Sequence, residues 1–229
     1  MYDLDTVAVI SLPRLGFNDF WGGAFAALSA AGIGHIRRTT GAFWDQSITL
    51  ALQQALDMNP RYLLTLDFDT IFSGDDVKAL RKLMEDYQTD ALAAMQPARY
   101  RRGPLFSLLE PDGTLVSEIP ETALQHDVIR VNTAHLGLTF LNADRLRRVP
   151  KPWFYGKPDS NGEWLADKMD PDTWFWQQWH AAGNDLYVAN RVAVGHLEAH
   201  IRWLTPDLQV TVQHPQDYTN TGKPENSWQ

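Results

Sequence analysis

Two aspartates one residue apart close an apolar run, Leu63-Leu64-Thr65-Leu66-Asp67-Phe68-Asp69-Thr70. Arg61 to Leu66 reads as a buried strand, which leaves the two acids at its C-terminal end. Along an extended backbone alternate side chains share a face, so Asp67 and Asp69 are expected to point together, with Phe68 on the other side. Carboxylates that close repel one another unless a proton or a cation lies between them. A hard divalent ion, Mg2+ or Mn2+, suits an all-oxygen site completed by water and phosphate. The spacing alone equally admits a phosphoryl-transfer nucleophile, or two loop acids at the start of the next helix.

Other residues of chemical interest lie far along the chain. In Asp170-Pro171-Asp172, Asp170 fits a helix N-cap, Pro171 the first helical position, and Asp172 the positive helix end. Such a helix start can also aim a carboxylate into a cleft. His196 follows Val192-Ala193-Val194-Gly195, a strand-like run, and His200 comes four residues later. The acid between them, Glu198, is one position late for the zinc-protease helix motif, so a hydrolytic zinc pair is not expected. Trp174, Phe175, Trp176 and Trp179 share one short helix; Phe175 and Trp179 are four apart and read as core, leaving Trp174 or Trp176 to face outward. An exposed tryptophan there, or one of Trp153-Phe154-Tyr155, would make a sugar platform. Arg99, Tyr100, Arg101 and Arg102 form a basic cluster in which Arg99 and Arg101 could meet phosphate.

The elements that must place these residues alternate. Thr6 to Leu12 reads as a buried strand, Phe20 to Ala31 as a helix stopped at Gly32, and Gly34 to Arg38 as a short strand. Ile48, Ala51, Leu52 and Ala55 mark an amphipathic helix ending near Asn59-Pro60. After the acidic strand, Ser73-Gly74-Asp75-Asp76 has the form of a capping box, and Val77, Leu80, Met84 and Tyr87 make one stripe. Ala91 to Met95 is the next strand. The alternation predicts an α/β fold, a mostly parallel sheet with helices on both faces. The second half reads as mixed: a hairpin around Pro111-Asp112-Gly113, strands at 128–131 and 136–141, a polar loop from Lys157 to Asp170, a helix from Pro171 to Ala182, and short strands at 186–189 and 192–194. The polar tail from Asn220 is expected to be loosely held. Ligands of open α/β sheets bind outside the carboxyl ends of the strands, where Asp67 and Asp69 fall.

The bulk numbers narrow the function classes. The 229 residues suit one substantial core, and no linker or repeat divides them. A net charge of -8 argues against a nucleic-acid partner. The absence of cysteine excludes disulfides and thiolate zinc sites. No apolar run approaches the roughly 18 residues of a membrane span, and MYDLDTVAVI carries acids where a signal peptide carries positive charge. A soluble, cytoplasmic protein is the expectation.

Together these segments resemble the nucleotide-sugar glycosyltransferases of the GT-A fold, particularly short family-2-like members, from Thr6 to about His196. Four segments carry the likeness in order: LLTLDFDT, Val131 to Leu138, Met169 to Phe175, and Val192 to His196. The resemblance implies a metal-bound nucleoside-diphosphate sugar donor and a glycan or other hydroxyl acceptor, with Mn2+ or Mg2+ as cofactor. Asp69 would ligate the metal, Asp67 the ribose or a metal-bound water, and His196 would complete the site. Gly137 would lie beneath the donor sugar, and Asp172, with Asp170 as alternative, would act as general base in an inverting displacement. Pro171 stands where the family usually shows glutamate, and His135 where a small residue is common. The implied organisation is one domain over 1–229, with a nucleotide-binding half at 1–97, an acceptor and metal-completing half at 98–200, and an extension at 201–229. Phosphatases of the haloacid dehalogenase class begin similarly, with Asp67 as nucleophile. Here the fifth motif position is Ile71, and a strand and a helix precede the motif. A carbohydrate-binding protein without catalysis is the third reading.

Overall fold

The computed structural model describes residues 3–11, 16–38, 43–98, 103–109, 115–116, 119–165 and 168–227. The described chain forms β1 (Asp3–Ser11), α1 (Asn18–Ala31), β2 (Ile33–Arg38), α2 (Trp44–Asp57), β3 (Tyr62–Asp67), β4 (Thr70–Ile71), α3 (Gly74–Tyr87) and β5 (Ala91–Met95). There follow β6 (Phe106–Leu109), β7 (Leu115–Val116), β8 (Val128–Arg130), β9 (Thr133–Ala134), β10 (Leu138–Asn142), α4 (Ala143–Arg148), α5 (Pro171–Ala181), β11 (Leu186–Ala193) and β12 (Gly195–His196). Last come β13 (Ile201–Leu204), β14 (Val210–Gln213) and α6 (Pro215–Thr221). The chain divides into two compact units, Met1–His196 and Leu197–Gln229.

In the first unit a seven-stranded sheet runs β2-β1-β3-β10-β5-β11-β8. β1 pairs in parallel with β2 and β3, and β11 with β5, while β10 lies antiparallel between β3 and β5, and β8 is antiparallel to β11. Five strands therefore share one direction, and the sheet is mostly parallel as the alternation predicts. Side-chain alternation divides its two faces. Val7, Val9, Leu63, Ala93 and Val188 pack with Ile48, Ala51, Leu52 and Ala55 of α2 and with Phe175, Trp176 and Trp179 of α5. The alternate residues, Ala8, Ile10, Leu64, Leu66 and Phe140, are equally buried toward α1 and α3.

The expected helices form with small shifts at their ends. Gly32 closes α1 in the left-handed region at φ 68°. The capping box is present: the Asp76 amide donates to Ser73 Oγ, and the Ser73 amide donates to Asp76 Oδ2 at 2.8 Å. Val77, Leu80 and Met84 are buried, but Tyr87 ends the helix 49% exposed, with its hydroxyl on Asp127. The two short strands expected at 186–194 are one strand, β11, whose register against β5 shifts between Ala189 and Ala193. β6 and β7 pair as the hairpin arms; its turn, Pro111-Asp112-Gly113, lies outside the described residues. The loop from Lys157 is closed at its base by paired backbone hydrogen bonds between Lys157 and Met169.

The second unit is the β13–β14 hairpin with α6. Trp203 leans on Tyr218 and donates to Gln213 Oε1. Part of the tail expected to be loose is ordered, since Asn220 and Thr221 are helical and Ser227 is buried.

Because Ser73 satisfies an otherwise orphan amide at the start of α3, Ser73→Ala should cost about 1 kcal/mol. Urea unfolding should show the midpoint falling with an unchanged slope.

Candidate functional site

The C-terminal ends of β3 and β5, the chain entering β10, and β12 converge on a cavity of about 400 Å³. Its walls include Trp44, Asp67, Phe68, Asp69, His135 and His196, and the segment Asp170-Pro171-Asp172 closes it from the start of α5. The structure thus gathers Asp67, Asp69, Asp170, Asp172 and His196, which are spread over 130 positions of sequence, around one space.

Asp67 is the last residue of β3, and Phe68 and Asp69 form a turn before β4. The strict alternation expected across the motif therefore stops at Asp67, and Phe68 lines the cavity alongside both acids. Register pairs Asp67 with Ser11 at the end of β1, and Ser11 Oγ donates to Asp67 Oδ1 at 3.1 Å. The Trp44 indole N–H reaches Ser11 Oγ at 2.9 Å and the same carboxylate oxygen at 3.4 Å. These bonds favour the charged form, but burial and the neighbouring Asp69 charge outweigh them and push Asp67 up to about 6.

Asp69 is buried and meets His196. β12 pairs with β4 in a two-residue ladder, His196 opposite Thr70 and Gly195 opposite Ile71, which brings position 196 beside the acidic turn. His196 Nε2 lies 3.4 Å from Asp69 Oδ2, with side-chain exposures of only 9% and 7%. The other ring nitrogen, Nδ1, faces the Pro97 carbonyl at 3.2 Å. A carbonyl only accepts, so this contact favours a proton on Nδ1 and turns Nε2 toward the carboxylate. That is the outer-shell arrangement typical of a metal-ligating histidine. His200 follows on irregular chain, so no helical histidine pair exists.

Asp172 stands on the first turn of α5, and the helix is anchored by aromatic packing. Phe175, Trp176 and Trp179 are fully buried. Phe175 stacks on Phe154 at 4.9 Å, and Phe154 meets the Trp44 ring edge-on at 5.2 Å. One line of rings therefore joins the clamp on Asp67 to the helix carrying Asp172. Burial, and less strongly the charge of Asp170, raises Asp172 above the usual carboxylate range, against a hydrogen bond from the Thr173 amide. Asp170 occupies the N-cap position but makes no side-chain cap; its carboxylate pairs with Lys168 at 3.0 Å. Of the tryptophans offered as platforms, Trp153 and Trp176 are buried, whereas Trp174 is half-buried against the exposed Tyr155.

Gly137 lies where the next strand begins, and its carbonyl accepts from the Asp67 amide at 3.2 Å. A Cβ here would sit 2.4 Å from Thr70 Oγ1 and 2.9 Å from Gln96 Oε1, so only glycine fits. Arg99 and Arg101 lie outside the described residues. Ser11 and Trp44 were missed in the sequence; a serine ending an apolar first strand and a tryptophan opening an amphipathic helix were the available signals.

Two predictions follow from this geometry. Gly137→Ala should lower the melting temperature by several degrees, because the added methyl must displace Thr70, Gln96 or His135. For Asp67, a folded pKa near 6 lies above the ordinary 3.8, so the folded chain holds this proton more tightly than the unfolded chain. Stability from this group is complete below about pH 4 and is lost as pH rises through 6. Asp67→Asn should therefore raise stability at pH 7.5 in the presence of chelator by up to about 3 kcal/mol, seen as a higher melting temperature, with the gain vanishing near pH 4.

Comparison with known proteins gives the fold its place. No protein-family model and no curated protein matches the sequence. Among solved structures, A197 from STIV aligns with a TM-score of 0.57 at 20% identity, over 91% of this chain and 94% of its own. GalNAc-T7, solved with UDP, GalNAc and Mn2+, aligns with a TM-score of 0.56 at 10% identity, over 83% of this chain and 43% of its own. S. aureus TarS 1-349, in complex with UDP-GlcNAc, aligns at 0.51 and 11% identity, over 85% and 59%. The chain thus spans about half the length of these last two. At such identities the likeness is one of architecture, and that architecture is the GT-A fold of the nucleotide-sugar glycosyltransferases.

Proposed function

We propose that this chain is a metal-dependent glycosyltransferase that moves a sugar, in the hexosyl class, from a nucleoside-diphosphate donor to a hydroxyl of a glycan or similar acceptor. The observation that carries the proposal is the buried Asp69–His196 pair, set beside Asp67 at the strand ends of a GT-A sheet and sharing a cavity with Asp172.

The residues fit a hard divalent ion such as Mn2+ or Mg2+. Adjacent ligands on one Mg2+-sized ion, each about 2.1 Å from it, stand about 3 Å apart, close to the 3.4 Å between Asp69 and His196. Among the described residues no group of three His, Asp or Glu side chains is placed to hold a metal ion. The donor diphosphate and waters would therefore have to supply most of the ion's ligands. The ion's part would be to neutralise charge on the diphosphate leaving group.

The chain's own groups supply the rest. Asp67, held by Ser11 and Trp44, would fix the donor ribose or a metal-bound water. Asp172, with its raised pKa, would take the proton of the acceptor hydroxyl as that oxygen attacks the anomeric carbon. A single base and direct displacement give inversion. The Lys157–Asp170 loop, which ends at the cavity wall, would help exclude water from the donor. No described helix is long and apolar enough to cross a membrane, and a cytoplasmic site of action is proposed with the rest. The phosphatase reading is not favoured: Asp75 pairs with Lys78 and Asp76 is committed to the helix cap, so neither serves as its downstream acid. Burial of Trp153, Trp176 and Trp179 likewise removes much of the surface a simple carbohydrate binder would use.

A thermal-shift screen of UDP, GDP, CDP and CMP, with and without Mn2+, should show metal-dependent stabilisation by at least one nucleotide. Asp69→Ala and His196→Ala should each weaken that binding at least about tenfold. Asp172→Asn should retain it while transfer slows by about 100-fold or more. Absence of any metal-dependent shift, together with turnover of phosphomonoesters, would overturn the assignment.

A further inference from the structure

His135 stands beside the cavity with both ring nitrogens engaged, and neither bond is to a candidate ligand. Nδ1 lies 2.9 Å from the Gly137 amide, which can only donate. Nε2 lies 2.8 Å from the Ala94 carbonyl, near the end of β5, which can only accept. One protonation state satisfies both contacts: a neutral ring with its proton on Nε2. An imidazolium would set an N–H against the Gly137 N–H.

We propose that His135 is a positioning residue, a neutral brace that ties the Gly137 amide to β5 and thereby helps fix the glycine whose carbonyl holds the Asp67 amide. The links run in sequence. Ala94 accepts from His135, His135 accepts from the Gly137 amide, and the Gly137 carbonyl accepts from the Asp67 amide. The His135 backbone carbonyl accepts from the Thr139 hydroxyl at 2.8 Å, so the main chain that carries the ring is held as well. Gly137 has no slack on its other side, where Thr70 and Gln96 close around its α-carbon. The Gly137 N–H and C=O belong to the two peptide groups that flank its α-carbon, so His135 holds one and the Asp67 amide the other, and both torsions of this glycine are pinned. Burial, with a smaller contribution from His196, pulls the His135 pKa down to about 4 despite the Ala94 bond, in keeping with a neutral ring.

The consequence for ligand binding rests on the proposed function, whereas the brace itself rests on these contacts. Glutamine can reproduce both bonds, with an amide donor and a carbonyl acceptor; phenylalanine fills the space with neither. In whichever of UDP, GDP or CDP binds with Mn2+, His135→Gln should stay within about threefold of the parent Kd and His135→Phe should lose at least about tenfold. Phe140→Leu, a core change in β10, serves as a control for general destabilisation and should leave the Kd unchanged. Ring 15N resonances of the parent should show a protonated Nε2 and a bare Nδ1 at neutral pH. The Gly137 amide should exchange slowly in the parent and in His135→Gln, and at least about tenfold faster in His135→Phe. A protonated Nδ1, or Gly137 exchange unaltered in His135→Phe, would overturn the brace. Equal loss of binding in Phe140→Leu and His135→Phe would overturn its positioning role. If the parent binds no nucleotide, the proposed function fails by itself, and the resonances and amide exchange still decide the brace.

Discussion

Two carboxylates held close together at the mouth of a hydrophobic core repel one another, and much of this unit is organised around that repulsion. Asp69 is buried and Asp67 partly so. Asp67 receives a hydroxyl and an indole N–H on one oxygen, and Asp69 is turned toward a buried imidazole. The two donors on Asp67 soften the conflict without removing it, since Asp67 still prefers its proton well above the normal carboxylate range. A pocket that is electrostatically uncomfortable when empty gains most from a ligand that brings positive charge.

The scaffold answers this with rigidity. The chain entering the antiparallel strand β10, which is inserted between parallel neighbours, brings Gly137 onto the Asp67 amide and His135 to the cavity wall. The aromatic line from Trp44 through Phe154 and Phe175 ties the opposite wall to the same core. The tryptophan richness of the late sequence is therefore mostly structural. Trp176 donates to the Ala134 carbonyl and Trp179 to that of Asp185, so the rings bury area and also satisfy backbone acceptors.

How much of this was legible beforehand follows from range. Periodicity and capping are local, and so α2, α3 and the acidic strand could be read from their own residues: Ile48, Ala51, Leu52 and Ala55 are all buried, and Ser73 and Asp76 form the expected box. Side-chain direction past the end of a strand is not local, which is why Phe68 faces the cavity rather than away from it. The α4 helix was missed because Ala143 to Arg148 is short and mostly charged, with a cap at Asn142 as its main signal. The contacts of Ser11 and Trp44 with Asp67 depend on pairing across 56 and 23 residues, which no single-sequence pattern encodes. His135 was visible only as an oddity, and its two bonds required the fold to be known.

The backbone pair between Lys157 and Met169 closes its loop independently of what lies at the tip, where Trp164 and Leu165 are largely exposed. Asp170 and α5 therefore begin from a point set by this backbone pair and by the ion pair from Lys168, with the tip of the loop outside both. Such a loop is a replaceable cassette: its length and residues can drift, or be exchanged by design, while the acid behind it keeps its address.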